Sequence, residues 1–304
     1  MIRADQLAIP WHFVRALRVR RAALRRGLPG AEFDAFGRRL GARLAVRGAR
    51  DGWRLLLQPL DFLRYYEFAF VAEALRGGSG DALDVSSPSL FSLWVAATRP
   101  EWRVRVANPD ARDSGATAGI VRRLGLRGVT VDNRDAQAVA AEDRRYDAIW
   151  SISVFEHIAG EDADGRALQA LARCLRPGGR ICLTVMTAPT YTDEFVAEDT
   201  YRLDLTRTER GYFFQRYYDE AALRSRLLAF VPDLEVKQLA WFGEIEAGGY
   251  AAFVERARRG YSYAWAVEEP WIAAKHYRWF ERFADMPGVG VGCVELRRPA
   301  ADSA

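Results

Sequence analysis

The sequence predicts a doubly wound α/β fold, a mostly parallel sheet covered on both faces by helices, and three observations carry that expectation. Short apolar or β-branched runs recur at 81–85, 103–107, 128–132, 146–151 and 180–186. The stretches between them are compatible with helices, and 163–176 is the clearest, with Leu168, Leu171, Ala172 and Leu175 at i, i+3, i+4 and i+7 spacing. That helix closes with Arg176-Pro177-Gly178-Gly179, a stop signal that also turns the chain back into a strand. Strands alternating with helices imply right-handed parallel crossovers. Ligands of such sheets sit at the carboxyl ends of the strands, near the switch in strand order.

Before this core, residues 11–26 place Trp11, Val14, Leu17 and Leu24 near one helical face, with Arg15, Arg18, Arg21, Arg25 and Arg26 largely elsewhere. The expectation is a packed helix with a solvated arginine face; a basic helix for RNA or a membrane surface is the alternative. A glycine-punctuated segment follows. Residues 59–76 form a second helical stretch, begun near Pro59 and stopped by Gly77, Gly78 and Gly80. After residue 187 the rhythm breaks. Tyr191, Tyr201, Tyr212, Phe213, Phe214, Tyr217 and Tyr218 crowd 187–230, which predicts an aromatic-rich helical lid or insert. Then come a strand at 234–242, a helix near 249–258, a helical stretch rich in Trp and Tyr at 261–283 and a last strand at 289–297.

With 304 residues, half of them hydrophobic, the chain can bury a substantial core. A net charge of +4 spread over this length does not argue for nucleic acid. Cys174, Cys182 and Cys293 lie in apolar segments without metal-type spacing and read as reduced core thiols. The sequence shows no secretory h-region and no apolar run of spanning length, so the expected location is the cytoplasm and no membrane span is expected. The absence of GxGxxG after the first strand disfavours a nicotinamide dehydrogenase.

The most specific block is Tyr146-Asp147-Ala148-Ile149-Trp150-Ser151-Ile152-Ser153-Val154-Phe155-Glu156-His157-Ile158, followed some twenty residues later by Leu175-Arg176-Pro177-Gly178-Gly179-Arg180. This pair, placed after three strand–helix units, resembles the class I S-adenosylmethionine (SAM)-dependent methyltransferases over roughly residues 60–187. The resemblance implies a Rossmann-like sheet of seven strands. It further implies an N-terminal helical cap at 1–76, a SAM-binding core at 77–187, and at 188–304 an acceptor-binding insert with the last strands of the same sheet. SAM is then the expected cofactor and a small-molecule acceptor the expected partner, with a homodimer as the candidate assembly.

Such a site requires a tight turn at the first strand end, an acceptor for the ribose hydroxyls at the second, and a polar contact beside an apolar slot for adenine. The first strand ends Asp84-Val85-Ser86-Ser87-Pro88, where the family usually has an acidic residue and a glycine-rich turn. Asp84 matches. Ser86, Pro88 and Leu90 stand where glycines are common, which restricts how the turn cradles a ligand; the hydroxyls of Ser86 and Ser87 are the candidate replacements. At the second strand end Val106 or Asn108 takes the ribose position, and Asn108 is preferred because its amide oxygen accepts. The third strand leads to Asp135 and Ala136, similar to the family's acidic-Ala pair beside adenine. Ser151 lies at the fourth strand end. His157 is the candidate proton acceptor; Tyr65, Arg216 and His276 are the candidate acceptor contacts. Alternatives are a methyltransferase-like scaffold with a degraded SAM site, motivated by the lost glycines, and an RNA methyltransferase using the arginine-rich helix.

Overall fold

Four helices lead into the sheet in the computed structural model, which describes residues 9–49, 51–200, 205–260 and 262–300. They are α1 (Ile9–Arg25), α2 (Ala31–Val46), α3 (Asp51–Leu57) and α4 (Arg64–Ala74). Helix α4 falls within the stretch 59–76 read from the sequence, and α1 begins two residues before the stretch 11–26. The other two occupy the glycine-punctuated segment. There, glycine is a contact rather than a break: a Cβ on Gly41 would lie 2.5 Å from the backbone nitrogen of Leu56, and one on Gly52 2.4 Å from that of Ala45. These two positions let the backbones of α2 and α3 touch. Asp34 of α2, buried, accepts from the Tyr65 hydroxyl at 3.0 Å and from Arg38 Nε at 3.1 Å and pairs with Arg20 of α1, so one carboxylate ties α1, α2 and α4 together.

The main sheet contains β1 (Gly80–Val85), β2 (Trp102–Ala107), β3 (Val129–Asp132), β4 (Tyr146–Ile152), β5 (Leu175–Thr187), β8 (Glu235–Glu244), β9 (Tyr277–Phe280) and β10 (Gly290–Arg297). Its order is β3-β2-β1-β4-β5-β10-β8-β9. The first five strands pair in parallel through crossovers α5 (Ser89–Thr98), α6 (Ala111–Leu124), α7 (Ala136–Ala140) and α8 (Ala163–Arg173), and the last three pair antiparallel. Strand order therefore reverses between β1 and β4, which opens a crevice at their carboxyl ends.

Two expectations need correction. The sheet has eight strands, not seven, because Tyr277–Phe280 adds an edge strand to β8. These residues fall in the stretch read as helical at 261–283, of which α11 (Tyr263–Ala266) and α12 (Glu269–His276) are helical. Trp and Tyr fit either period, and here the sheet edge decides: Trp279 pairs with Phe242 across the ladder, and both rings meet Tyr66 of α4. The aromatic insert is likewise built on strands. Thr192–Val196 (β6) and Tyr212–Tyr217 (β7) pair as an antiparallel ribbon whose Phe195 and Phe213 rings meet edge-on at 6.0 Å. The run Tyr212-Phe213-Phe214 has strong strand propensity once a partner strand lies beside it. Tyr201 lies outside the described residues. Short helix α9 (Glu220–Arg226) follows, and α10 (Gly249–Arg258) packs beyond β8.

Each sheet face has its own core. Phe33, Phe68, Phe91 and Trp94 interlock over one face, so the N-terminal helices share that core with the strands. On the other face Leu168, Leu171 and Tyr146 join Tyr218 and Leu223. The three cysteines are free and buried. No helix among the described residues is long and apolar enough to cross a membrane.

The helix contact gives a test of opposite signs. Gly41→Ala forces α2 and α3 apart and should destabilise by about 1–3 kcal/mol. Gly115→Ala, in α6 where an added Cβ meets nothing within 4 Å, should stabilise by about 0.5–1 kcal/mol. Thermal unfolding of the two variants reads both.

Candidate active site

At the reversal of strand order, the turn after β1 is held by its own polar groups. Asp84 is fully buried at the end of β1; it accepts from the backbone N–H of Ser87 at 3.0 Å and from the Ser92 hydroxyl. Burial pushes its carboxyl above the usual range, against the pull of those two serines. Ser86 adopts φ 56°, the left-handed conformation that glycine enters freely. Its N–H and hydroxyl both donate to the carbonyl of Ala107 on β2, at 2.8 and 3.3 Å. The turn thus takes the path of the missing glycine, and local hydrogen bonds offset the cost of that conformation. Across the crevice, Ile152 N–H donates to the Ser87 hydroxyl at 3.0 Å, and the Ser151 hydroxyl donates to the Val85 carbonyl at 3.0 Å. Both serines stitch β1 to β4.

The ends of β2 and β3 lie alongside. Val106 is buried within the ladder opposite Asp84, so the residue that emerges from β2 is Asn108. Its amide oxygen accepts from Asp110 N–H at 2.9 Å, and its carbonyl accepts from Asn133 beyond β3. Asp135 caps α7 by accepting from Ala138 N–H at 2.7 Å, with Ala136 opening that helix. Asn108 and Asp135 remain partly or wholly accessible to solvent.

Beyond β4 and β5 the interior turns polar. Glu67 of α4, fully buried, accepts from the hydroxyls of Ser153 at 2.5 Å and Thr184 at 2.6 Å and pairs with Arg64. Ser153 is a second non-glycine residue at positive φ, 49°, and this bend sends the chain into the short 3-10 turn Phe155–His157. His157, the expected proton acceptor, donates Nδ1–H to the carbonyl of Phe214 on β7 at 2.7 Å. Burial pulls its pKa down to about 4, so it is neutral through the physiological range. The residue beside it is the one that sequence reasoning passed over. Glu156 is fully buried, and neither carboxyl oxygen closes a hydrogen bond. Burial pushes its pKa up to about 8; the charge of Glu67 adds to this, while Arg64 and the facing backbone N–H groups of Glu156 and Met186 pull the other way. No spacing rule marks such a residue, because its environment comes from α4, β5 and β7.

The three expected acceptor contacts do not converge. Tyr65 points into the N-terminal core, its hydroxyl on Asp34. Arg216 of β7 is buried between Asp164, at 2.8 Å, and the carbonyl of Ile158, at 2.9 Å, stacked 5.0 Å from the Phe213 ring centroid. It lines an open cleft of about 650 Å³ with Tyr191, Phe195 and Arg226. His276 is exposed at the end of α12, and the charged groups near it are Lys275, Glu246 and Arg26.

This geometry can be set beside known proteins. Residues 95–183 match the family model described as a methyltransferase domain. The match begins inside α5, after the serine–proline turn, and runs through β4 and the 3-10 turn into β5. A Bacillus halodurans protein solved as a candidate methyltransferase aligns at TM-score 0.50 and 13% identity, covering 77% of this chain and 100% of that one. The chain is therefore similar to a methyltransferase domain over residues 95–183, and it shares the fold of that solved protein. The N-methyltransferase NodS of Bradyrhizobium japonicum, solved with S-adenosyl-L-homocysteine, aligns at TM-score 0.46 and 15% identity over 86% of this chain and 96% of its own. The [4+2]-cyclase SpnF aligns at TM-score 0.48 and 19% identity, over 77% and 80%.

The fold should show its unusual acid in its stability. A glutamate titrates near 4.5 in the unfolded chain and Glu156 near 8 in the folded one. Between those values the folded state holds the extra proton, so stability falls as pH rises through the window and levels off above it. Glu156→Gln removes the loss, and its advantage in unfolding free energy over the wild type, followed through Tm, should grow from pH 5 to pH 8 toward a few kcal/mol, on the order of 1.4 kcal/mol for each pH unit between the two values. An advantage independent of pH would mean that Glu156 titrates normally.

Proposed function

We propose that the chain is a SAM-dependent methyltransferase acting on an oxygen or nitrogen of a small-molecule acceptor. The observation that supports this best is the crevice at the β1–β4 reversal. Around it lie a left-handed turn at Ser86, an amide at Asn108 and a carboxylate at Asp135, in the order that a methionine tail, a ribose and an adenine require. The donor set fits the cofactor. Ser86 follows the backbone path of glycine, and Asn108 and Asp135 each use one acceptor lone pair or oxygen locally and keep another for a ligand. The buried layer around Glu67 and Glu156 carries two carboxyl groups against one guanidinium, which favours a cationic guest.

When bound, SAM supplies an activated methyl group on a sulfonium. The protein's part is then alignment and exclusion of water. Ser87 and Ser151 hold the crevice walls at fixed separation, Asn108 orients the ribose and Asp135 the adenine amino group. The β6–β7 ribbon covers the carboxyl ends of β4 and β5, and we assign the acceptor to its side, within 188–304. The three buried thiols fit a reducing compartment, and we place the reaction in the cytoplasm.

Calorimetric titration of the full chain with SAM tests the reading. Asn108→Ala and Asp135→Ala should each weaken binding about five- to tenfold, the equivalent of one hydrogen bond. Asp84→Ala should lower Tm as well as affinity, because its oxygens serve the turn. Full affinity in the first two variants would move the nucleoside away from these strand ends.

A further inference from the structure

Seven carboxyl groups of the described residues are buried, and six of them are satisfied at least once. Asp34 holds Tyr65, Glu67 holds Thr184, Asp84 holds Ser87, Asp164 holds Tyr218, Glu244 holds Val289 and Glu269 holds Phe62. Glu156 alone closes none within ordinary geometry, and the donors nearest its carboxyl are its own backbone N–H and that of Met186. An unsatisfied buried carboxyl is costly even when neutral. Every other buried acid closes at least one hydrogen bond inside the chain, which leaves the Glu156 carboxyl open to a partner from outside it.

Its position says what kind of partner. Glu156 stands four residues past the end of β4, the strand at which the order reverses, in a 3-10 turn packed against β5 and β7. We propose that Glu156 is the proton acceptor of the methyl transfer: it ionises when a cation enters the crevice, then takes the proton of an acceptor whose reacting oxygen or nitrogen carries one. This rests on the SAM reading above. In the step, the acceptor's X–H bond breaks toward a Glu156 oxygen while the bond from X to the methyl carbon forms. The methyl–sulfur bond breaks with its electron pair left on sulfur. A sulfonium and a carboxylate are thus replaced by a thioether and a carboxylic acid, so no net charge is created in the buried layer. Acceptors with no proton to lose, such as tertiary amines and thioethers, gain nothing from this arrangement.

The charged and titratable groups facing Glu156 are Arg64 and Glu67 from α4, His157 from its own turn, Tyr218 after β7 and Tyr250 from α10. Burial holds both tyrosines above their ordinary range and His157 near 4. None of these three changes charge between pH 6 and 8, and Arg64 stays cationic. Near pH 7 Glu156, pushed up to about 8, is mostly protonated, and an added positive charge favours its ionised form.

The test counts protons. The full chain is titrated with SAM and, separately, with S-adenosylhomocysteine, whose sulfur is neutral, at pH 7 in two buffers of different ionisation enthalpy. The expected result is about one more proton released per SAM than per S-adenosylhomocysteine. In Glu156→Gln both ligands should still bind and the difference should vanish; in Glu156→Asp, which keeps a carboxyl, most of it should return. Equal release by both ligands in the wild type, or an unchanged difference in Glu156→Gln, overturns the assignment and leaves the cofactor reading standing. Absence of binding by either ligand overturns both.

Discussion

The contact on which the candidate site depends is the grip of Glu67 on the strand ends. One carboxylate of α4 accepts from Ser153 beyond β4 and Thr184 on β5 while pairing with Arg64 of its own helix. It joins the N-terminal helices to the place where the sheet presents ligands. In a medium of low effective dielectric such bonds are strong and their absence costly. The same contact sets the electrostatics, because Glu67 brings a second acid next to Glu156 and makes the layer short of positive charge.

The turn after β1 shows how a fold can hold a left-handed conformation without the residue that makes it easy. Serine at φ 56° carries a steric cost of about 1–2 kcal/mol. Two hydrogen bonds to Ala107 and the Asp84–Ser87 closure offset it. Serine has polar atoms with which to do this, where alanine has none. Pro88 then enters α5 as its N-cap, with φ −53°, and stiffens the exit.

Much of the architecture was legible because period and punctuation act locally. The five parallel strands and the helix at 163–176 follow from alternation of apolar runs with helical spacing. The observed ends differ by a few residues, most at β5, where the ladder reaches back to Leu175 through the Pro177-Gly178-Gly179 turn. What escaped has a common physical origin. Gly41 and Gly52 look like breaks, yet they are the contact surface of two helices. Tyr277–Phe280 and Tyr212–Tyr217 are aromatic runs without a decisive period, and each became a strand because a neighbouring ladder offered pairing. His157 drew attention by residue type, while the fully buried acid beside it, Glu156, carries no mark in the sequence.

The sequence by itself determined the doubly wound layout, the reversal of strand order and a first turn built of serine and proline, since these are properties of order, spacing and residue type along the chain. Tertiary structure alone decided which side chains are available there. Tyr65 and Arg216 are committed to Asp34 and Asp164, and His157 is neutralised by burial, whereas Glu156 is left without a partner. Burial and the charge of neighbours distant in sequence set the free energy of a titratable group, and neither quantity exists until the helices have closed over the sheet.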